Sequence, residues 1–283
     1  MNKNKNKTTW KNIILLIILL IFICGLVYSS INIIKWHKDN KNTEEITKKI
    51  EELVEVEEVE DNEFTEIIEI PEEKKEEIPK SNPYWDYIKI PLINVNFREL
   101  KELNNDTVGW IQVNGSNINY PFVQTNNNDF YLNHSYDKTF NYAGWVFLDY
   151  RNQINNLDQN TILYAHGRLD TTMFGSLRNI FTNNWLKNPN NYVIRLSTEY
   201  ENTLWQVFSV YRIPTTNDYM RIEFFNNEDF LEFANMLIER SSHNFNTTIS
   251  ENDKILTLST CYDTEDKVVM HAKLIKKESK QLV

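Results

Sequence analysis

The sequence predicts a mostly β domain, an antiparallel barrel with helical insertions, standing outside a membrane behind one N-terminal transmembrane helix. Three observations predict it. Beyond Pro83, short apolar and β-branched runs alternate with turn residues, a spacing typical of barrels and sandwiches. Residues 13–34 carry no charge and are almost entirely apolar. Between these regions lies a segment too acidic to bury much surface.

The apolar run is broken only by Gly25, Tyr28, Ser29, Ser30 and Asn32, and it approximates the ~20 residues that cross a bilayer as a helix. Lys3, Lys5, Lys7 and Lys11 precede it and Lys35 and Lys38 follow. The positive-inside rule therefore predicts a cytoplasmic tail over 1–12 and an anchor over 13–34. A cleaved signal peptide is the competing reading, but its apolar region spans only ~7–15 residues and ends in a small-residue site. No Ala-x-Ala follows this run. Either reading places the rest of the chain outside.

The formal charge is −10, and the 40 positions from Lys41 to Lys80 carry a balance of −10 on their own. A Glu-rich block containing Pro71 and Pro79 repels itself, so residues 35–80 are predicted to form an extended, solvated stalk. Ile46, Ile50, Leu53 and Val54 recur at helical spacing, enough for a helical turn or more near the membrane. A helix that binds a partner is the alternative for these residues.

Residues 81–283 read as the globular domain. Phe97 to Leu103 has the spacing of a short amphipathic helix. Val108–Val113 is strand-like and meets Asn114-Gly115, a strong hairpin signal, after which extended structure resumes until Pro121. Further strands are predicted at 144–149, 161–164, 192–196, 204–211, 254–258 and 267–275. A short helix is predicted at 174–181. A longer one at 228–240 has Phe230, Leu231, Phe233, Ala234, Leu237 and Ile238 on one broad face and Asn227 placed to cap it.

The chain has two cysteines, and with Cys24 in the apolar run, Cys261 stands alone outside. A domain of about 200 residues builds its core without disulfides. A lone thiol in an oxidising place calls for a reason, although a buried, inert cysteine is the bland alternative. Cys261 ends the run Ile255-Leu256-Thr257-Leu258-Ser259-Thr260, and His166 ends Ile162-Leu163-Tyr164-Ala165. A thiol is only a few per cent thiolate near pH 7, at an ordinary pKa of ~8.5, until a base or a positive neighbour raises that fraction. One Cys and one His at two strand ends therefore suit a cysteine acyl transferase. His37 borders the membrane run, His134 and His243 fall in polar loops, and His271 alternates with Val269 as a structural side chain would. No three or four ligands have zinc-site spacing, and no metal or cofactor is expected. Neither a basic patch nor a glycine-rich phosphate loop points to nucleic acid or nucleotides.

From Phe97 to Ile275 the chain resembles the sortases, and within them class B. The resemblance is carried by Asn105-Asp106-Thr107-Val108-Gly109-Trp110-Ile111, Asn119-Tyr120-Pro121-Phe122-Val123-Gln124, Asp129-Phe130-Tyr131-Leu132 and Phe147-Leu148-Asp149-Tyr150-Arg151. It continues through Tyr164-Ala165-His166-Gly167, Met173-Phe174-Gly175 and Thr257-Leu258-Ser259-Thr260-Cys261. It implies an eight-stranded sortase barrel with the helix at 228–240 before the penultimate strand. It also implies a cysteine-type transpeptidase and endopeptidase, with no cofactor. Such an enzyme cuts a C-terminal sorting motif of a secreted protein after Thr, holds a thioester, and passes it to a cell-wall peptide amine. By position, Cys261 is the nucleophile and His166 the proton carrier, while Asn128, Leu132 and Ser259 match residues lining the peptide groove.

Sortases carry an arginine on the strand after the cysteine to stabilise the oxyanion. Here Lys267 aligns with it, keeping the charge but not the planar fork. Three readings stay open: Lys267 takes the role, Arg212 or Arg221 fills the place, or the domain is a weak or inactive binder of sorting-motif proteins. A pilus-polymerising sortase, using a lysine side chain as acceptor, would differ only in its incoming amine.

Overall fold

The computed structural model describes residues 3–68, 84–263 and 265–280. The first unit, residues 1–45, is helical wherever it is described. It belongs to helix α1 (Lys3–Leu53), whose part from Trp10 onward is long and apolar enough to cross a membrane, with a stretch of mean hydropathy 2.9. The rest of the chain, from Ile46, is the second unit.

The second unit begins with β1 (Val56–Val59), β2 (Thr65–Ile67), a helical turn α2 (Tyr84–Tyr87), β3 (Leu92–Val95) and α3 (Arg98–Leu103). Then come β4 (Thr107–Val113), β5 (Asn119–Val123), β6 (Phe147–Leu148) and β7 (Asn160–Tyr164). Short helical turns, among them a 3-10 helix over Gly175–Phe181 and α4 (Asn183–Leu186), lead to β8 (Val193–Thr198) and β9 (Glu201–Pro214). Helix α5 (Asn227–Glu239), β10 (Ile255–Cys261) and β11 (Asp266–Ser279) complete the chain.

The strands run in the order β10-β7-β6-β5-β4-β8-β9-β11, and β11 returns to pair with β10. This is the eight-stranded closed barrel that the resemblance implies. Most pairs are antiparallel, but β5–β6 and β7–β10 are parallel. The Asn114-Gly115 turn joins β4 to β5 as expected, with Gly115 at φ +67°, a conformation that glycine adopts without strain. Trp110, Trp145, Trp205, Phe122 and Phe174 fill the main core. Helix α5 packs Phe230, Phe233, Ala234 and Leu237 against Phe208, Tyr211, Ile255 and Val269 in a second cluster. The covering helix explains the unbroken burial of β9: Leu204, Trp205, Val207 and Val210 face the main core, while Phe208 and Tyr211 face α5.

Three details differ from the sequence reading. Strand β5 continues through Pro121, because β6 pairs with it only at Val123 and no partner needs the missing N–H. Helix α5 is capped by Asn226, whose side chain accepts from the Asp229 N–H, rather than by Asn227 one position later. The third concerns the acidic segment over 35–80, which is not an extended stalk wherever it is described. Its helix runs to Leu53 and buries Ile50 and Ile46 in the main core. Strand β1 pairs with β3 and β2 with β11. The physical reason is charge matching across distance. Asp61 meets Lys276, Glu58 meets Arg195 and Glu66 meets Lys277, so barrel cations offset the repulsion that a local count registers. Residues 69–80 of that expectation lie outside the described residues.

Lys276 is the strongest of these ties. Its side chain is wholly buried, and Nζ donates to Asp61 Oδ1 and to the Ile90 carbonyl, 2.7 Å each. A buried donor left short of a partner costs about 1–3 kcal/mol, and more where it is charged. Asp61→Ala is therefore expected to lower Tm by several degrees, at about 2–4 °C per kcal/mol for a domain of this size, while Glu63→Ala does not. Calorimetry of the two variants checks this.

His271 sits wholly buried on β11 between the Tyr211 hydroxyl (2.8 Å) and Thr257 Oγ1 (2.9 Å), a structural side chain as read. Burial, helped by the Arg240 charge, pushes its imidazole down to about 3. The unfolded chain takes up this proton near pH 6.5, so the neutral side chain's contribution is complete above that pH. It falls as pH drops through the interval toward 3. Unfolding free energy should decline between pH 7 and 4, and His271→Gln should flatten part of that decline in denaturant titrations.

Candidate active site

Strands β7 and β10 are parallel neighbours with Tyr164 opposite Ser259. The chain leaves both at the same end of the barrel, which brings Ala165-His166-Gly167 beside Thr260-Cys261-Tyr262. Two contacts fix the approach. Thr260 Oγ1 donates to the Ala165 carbonyl at 2.7 Å. Gly167 lies so close that a Cβ there would overlap the Cys261 carbonyl oxygen.

Cys261 is half-buried at the end of β10. The β10–β11 register sets Lys267 directly opposite it, and the Lys267 ammonium donates to Cys261 Sγ at 3.0 Å. Cross-strand neighbours have Cβ atoms ~5 Å apart, so a lysine reaches the sulfur without leaving its strand. His166 Nε2 lies 2.6 Å from the Leu132 carbonyl. A carbonyl only accepts, so Nε2 carries a proton and Nδ1 remains to take or give one.

A second layer surrounds Asp149, whose side chain is fully buried. Its oxygens accept from Arg151 Nε (2.9 Å) and Nη2 (2.8 Å), the Tyr164 hydroxyl (2.9 Å) and Asn128 Nδ2 (3.1 Å). Burial pushes this carboxyl up, but the Arg151 and Tyr164 hydrogen bonds outweigh it and hold it below the usual range. Burial, then the Asp149 charge, raises the Tyr164 phenol. Asp149 belongs to the Phe147–Arg151 motif but has no role in the sequence reading; the one signal of this cluster is an acid ending an apolar run two residues before an arginine.

The expected groove residues fall in different surroundings. Leu132 is half-exposed and lends its carbonyl to His166. Asn128 joins the Asp149 cluster, its Oδ1 accepting from the Tyr150 N–H. Ser259 is buried, its hydroxyl 2.9 Å from that of Tyr219, whose phenol burial pushes up to about 12. Both arginines weighed as substitutes have carboxylate partners. Arg212 pairs with Asp263 and Asp266, and Arg221 with Asp229. His134 and His243, read as loop residues, lie against Phe130 and Phe245.

A thiol with an ammonium at hydrogen-bond distance, and an imidazole held on the neighbouring strand end, is an arrangement able to carry nucleophilic acyl transfer. A sortase domain model matches residues 111–275. Sortase B of Staphylococcus aureus is 35% identical over 188 residues, covering 65% of this chain and 76% of that protein. Sortase B of Listeria monocytogenes is also 35% identical over 188 residues, covering 64% of this chain and 74% of its own. The solved Staphylococcus aureus sortase B–substrate complex superposes with a TM-score of 0.60 at 35% identity, covering 64% of this chain and 84% of that one.

Gly167→Ala must push the two strand ends apart, since the obstacle is backbone. A misplacement of about 1 Å costs on the order of 10²-fold in rate. The variant should stay folded by circular dichroism and lose kcat on that scale.

Proposed function

The chain belongs to the sortase family, and from that footing we propose that it is a membrane-anchored class B cysteine transpeptidase. It cleaves a C-terminal sorting motif after Thr and joins the released protein to a peptide amine of the cell wall. The observation that carries this reading is the 3.0 Å contact between Lys267 and Cys261, because it supplies the cation at the family's arginine position.

Cys261 passes its proton to His166 Nδ1 and its Sγ attacks the scissile carbonyl carbon, the carbonyl π electrons moving onto the oxygen. The Lys267 ammonium stabilises that oxyanion. His166 gives a proton to the leaving amine as the carbon–nitrogen bond breaks, and a thioester remains. The incoming amine attacks the thioester carbon and loses a proton to His166, collapse breaks the carbon–sulfur bond, and the departing sulfur takes that proton back as the thiol. Leu132, half-exposed beside His166, lines the peptide groove, with Asn128 held in place by Asp149. Ser259 contributes from beneath through Tyr219. The apolar helix anchors the enzyme with residues 1–12 in the cytoplasm and the barrel outside, where secreted substrates and wall precursors meet.

The test uses the full chain in detergent with quenched fluorescent peptides of Asn-Pro-x-Thr and Leu-Pro-x-Thr type and a small amine acceptor. Cys261→Ala should abolish turnover. Lys267→Ala should lower kcat by about 10²–10³-fold, as expected for loss of one oxyanion donor, and Lys267→Arg should retain it. Absence of turnover with both peptides, together with Cys261 labelling by a methanethiosulfonate reagent that ignores His166→Ala, would return the chain to the class of inactive binders.

A further inference from the structure

Around the site, the residues before His166 and Cys261 are joined by the Thr260–Ala165 hydrogen bond. The residues after them are joined by a side chain from a third element. Arg178 Nη2 donates to the Gly167 carbonyl at 3.1 Å and also to the Tyr262 carbonyl. We propose that Arg178 is a positioning residue for the acyl transfer, fixing the separation of the His166 and Cys261 segments by bridging the main chain just beyond each. The inference rests on the reading of Cys261 and His166 as the reacting pair.

The base from which Arg178 reaches is firm. It projects from the 3-10 helix over Gly175–Phe181, where Leu177 and Ile180 are wholly buried. Gly175 in that helix is packed so tightly that a Cβ would overlap the Arg168 carbonyl oxygen. The reach is constrained as well. The guanidinium lies 4.5 Å from the centre of the Tyr262 ring, and Arg212 lies 3.8 Å from that same ring. Arg212 is tied to Asp263 and Asp266, so the bridge continues into the hairpin that delivers Lys267. Cation–π contact and a planar donor fork are properties of guanidinium that an ammonium shares only in part.

An acyl transfer proceeds from reacting atoms about 3–3.5 Å apart, and small displacements are costly. With Arg178 removed, Thr260 still holds one side of the pair, and the other is free to open. The loss should therefore appear in the chemical step rather than in peptide binding.

Arg178→Ala and Arg178→Lys in the full chain test this with three readouts. Arg178→Ala should lower kcat at least about 10-fold with KM changed less than about twofold. Arg178→Lys, with a single-point donor, should recover part of kcat. In methanethiosulfonate labelling of Cys261, the slowing caused by His166→Ala should shrink in the Arg178→Ala background, because the two segments are already uncoupled. Arg178→Ala with kcat within twofold of wild type would overturn the proposal. So would a loss confined to KM, or a loss that follows a parallel fall in Tm with no recovery by lysine. Wild-type labelling that ignores His166→Ala would overturn this proposal and the family mechanism together. Coupling present in wild type and unchanged in Arg178→Ala would overturn this proposal alone.

Discussion

Two strands that pair in parallel deliver their following residues to the same edge of the sheet, and this constraint builds the whole site. Strands β7 and β10 are such a pair inside a barrel whose other ladders are mostly antiparallel. Had they run antiparallel, His166 and Cys261 would leave at opposite ends of the barrel, more than a strand length apart. Closure of β10 on β11 adds Lys267 from the other side. Cys261 thus has the His166 segment on one flank, two residues beyond the end of β7, and the Lys267 ammonium on the other, set by strand register. Register is strongly specified where strand faces are buried, and β10 is buried along nearly its whole length.

In the proposed mechanism a lysine, not an arginine, faces the oxyanion. An arginine presents a rigid fork that offers two donors to one oxyanion, whereas the ammonium is a compact charge with rotatable donors. Register compensates for part of the difference. Lys267 sits directly across the hairpin from Cys261, so its stem needs no detour to bring Nζ to 3.0 Å from the sulfur. The same short hairpin is gripped by Arg212 through Asp263, Asp266 and the Tyr262 ring. Rigidity lost at the cation's head is made up by rigidity beneath it.

The barrel strands, and the placing of Cys261, His166 and Lys267 at neighbouring strand ends, were legible in the sequence, because each depends on local pattern or on position within a strand-end motif. What escaped depends on partners far along the chain. The acidic segment looked unable to fold, since a charge count over 35–80 does not register Lys276, Lys277 and Arg195 waiting more than a hundred residues away. Arg178 gave no signal because it sits on a short 3-10 turn, and its partners are main-chain carbonyls of two other segments. Pro121 suggested a strand end, and only the pairing of β6 at Val123 explains why the strand continues past it.

One face of β10 ties these features together. Thr257, Ser259 and Cys261 alternate along it, and each polar atom has a partner: Thr257 meets His271 and Asn160, Ser259 meets Tyr219, and Cys261 meets Lys267. Burial relaxes along the same line, from a wholly buried His271 to a half-buried Cys261. Buried polar groups are stable only when paired, so this row is held in one arrangement. Charge is excluded at its inner end, where burial keeps the imidazole neutral, and admitted only at its outer end, where the ammonium faces the thiol. The strand that ends in Cys261 is thereby held along its polar face as well as along its apolar one, and the sulfur is tied to the same row through Lys267.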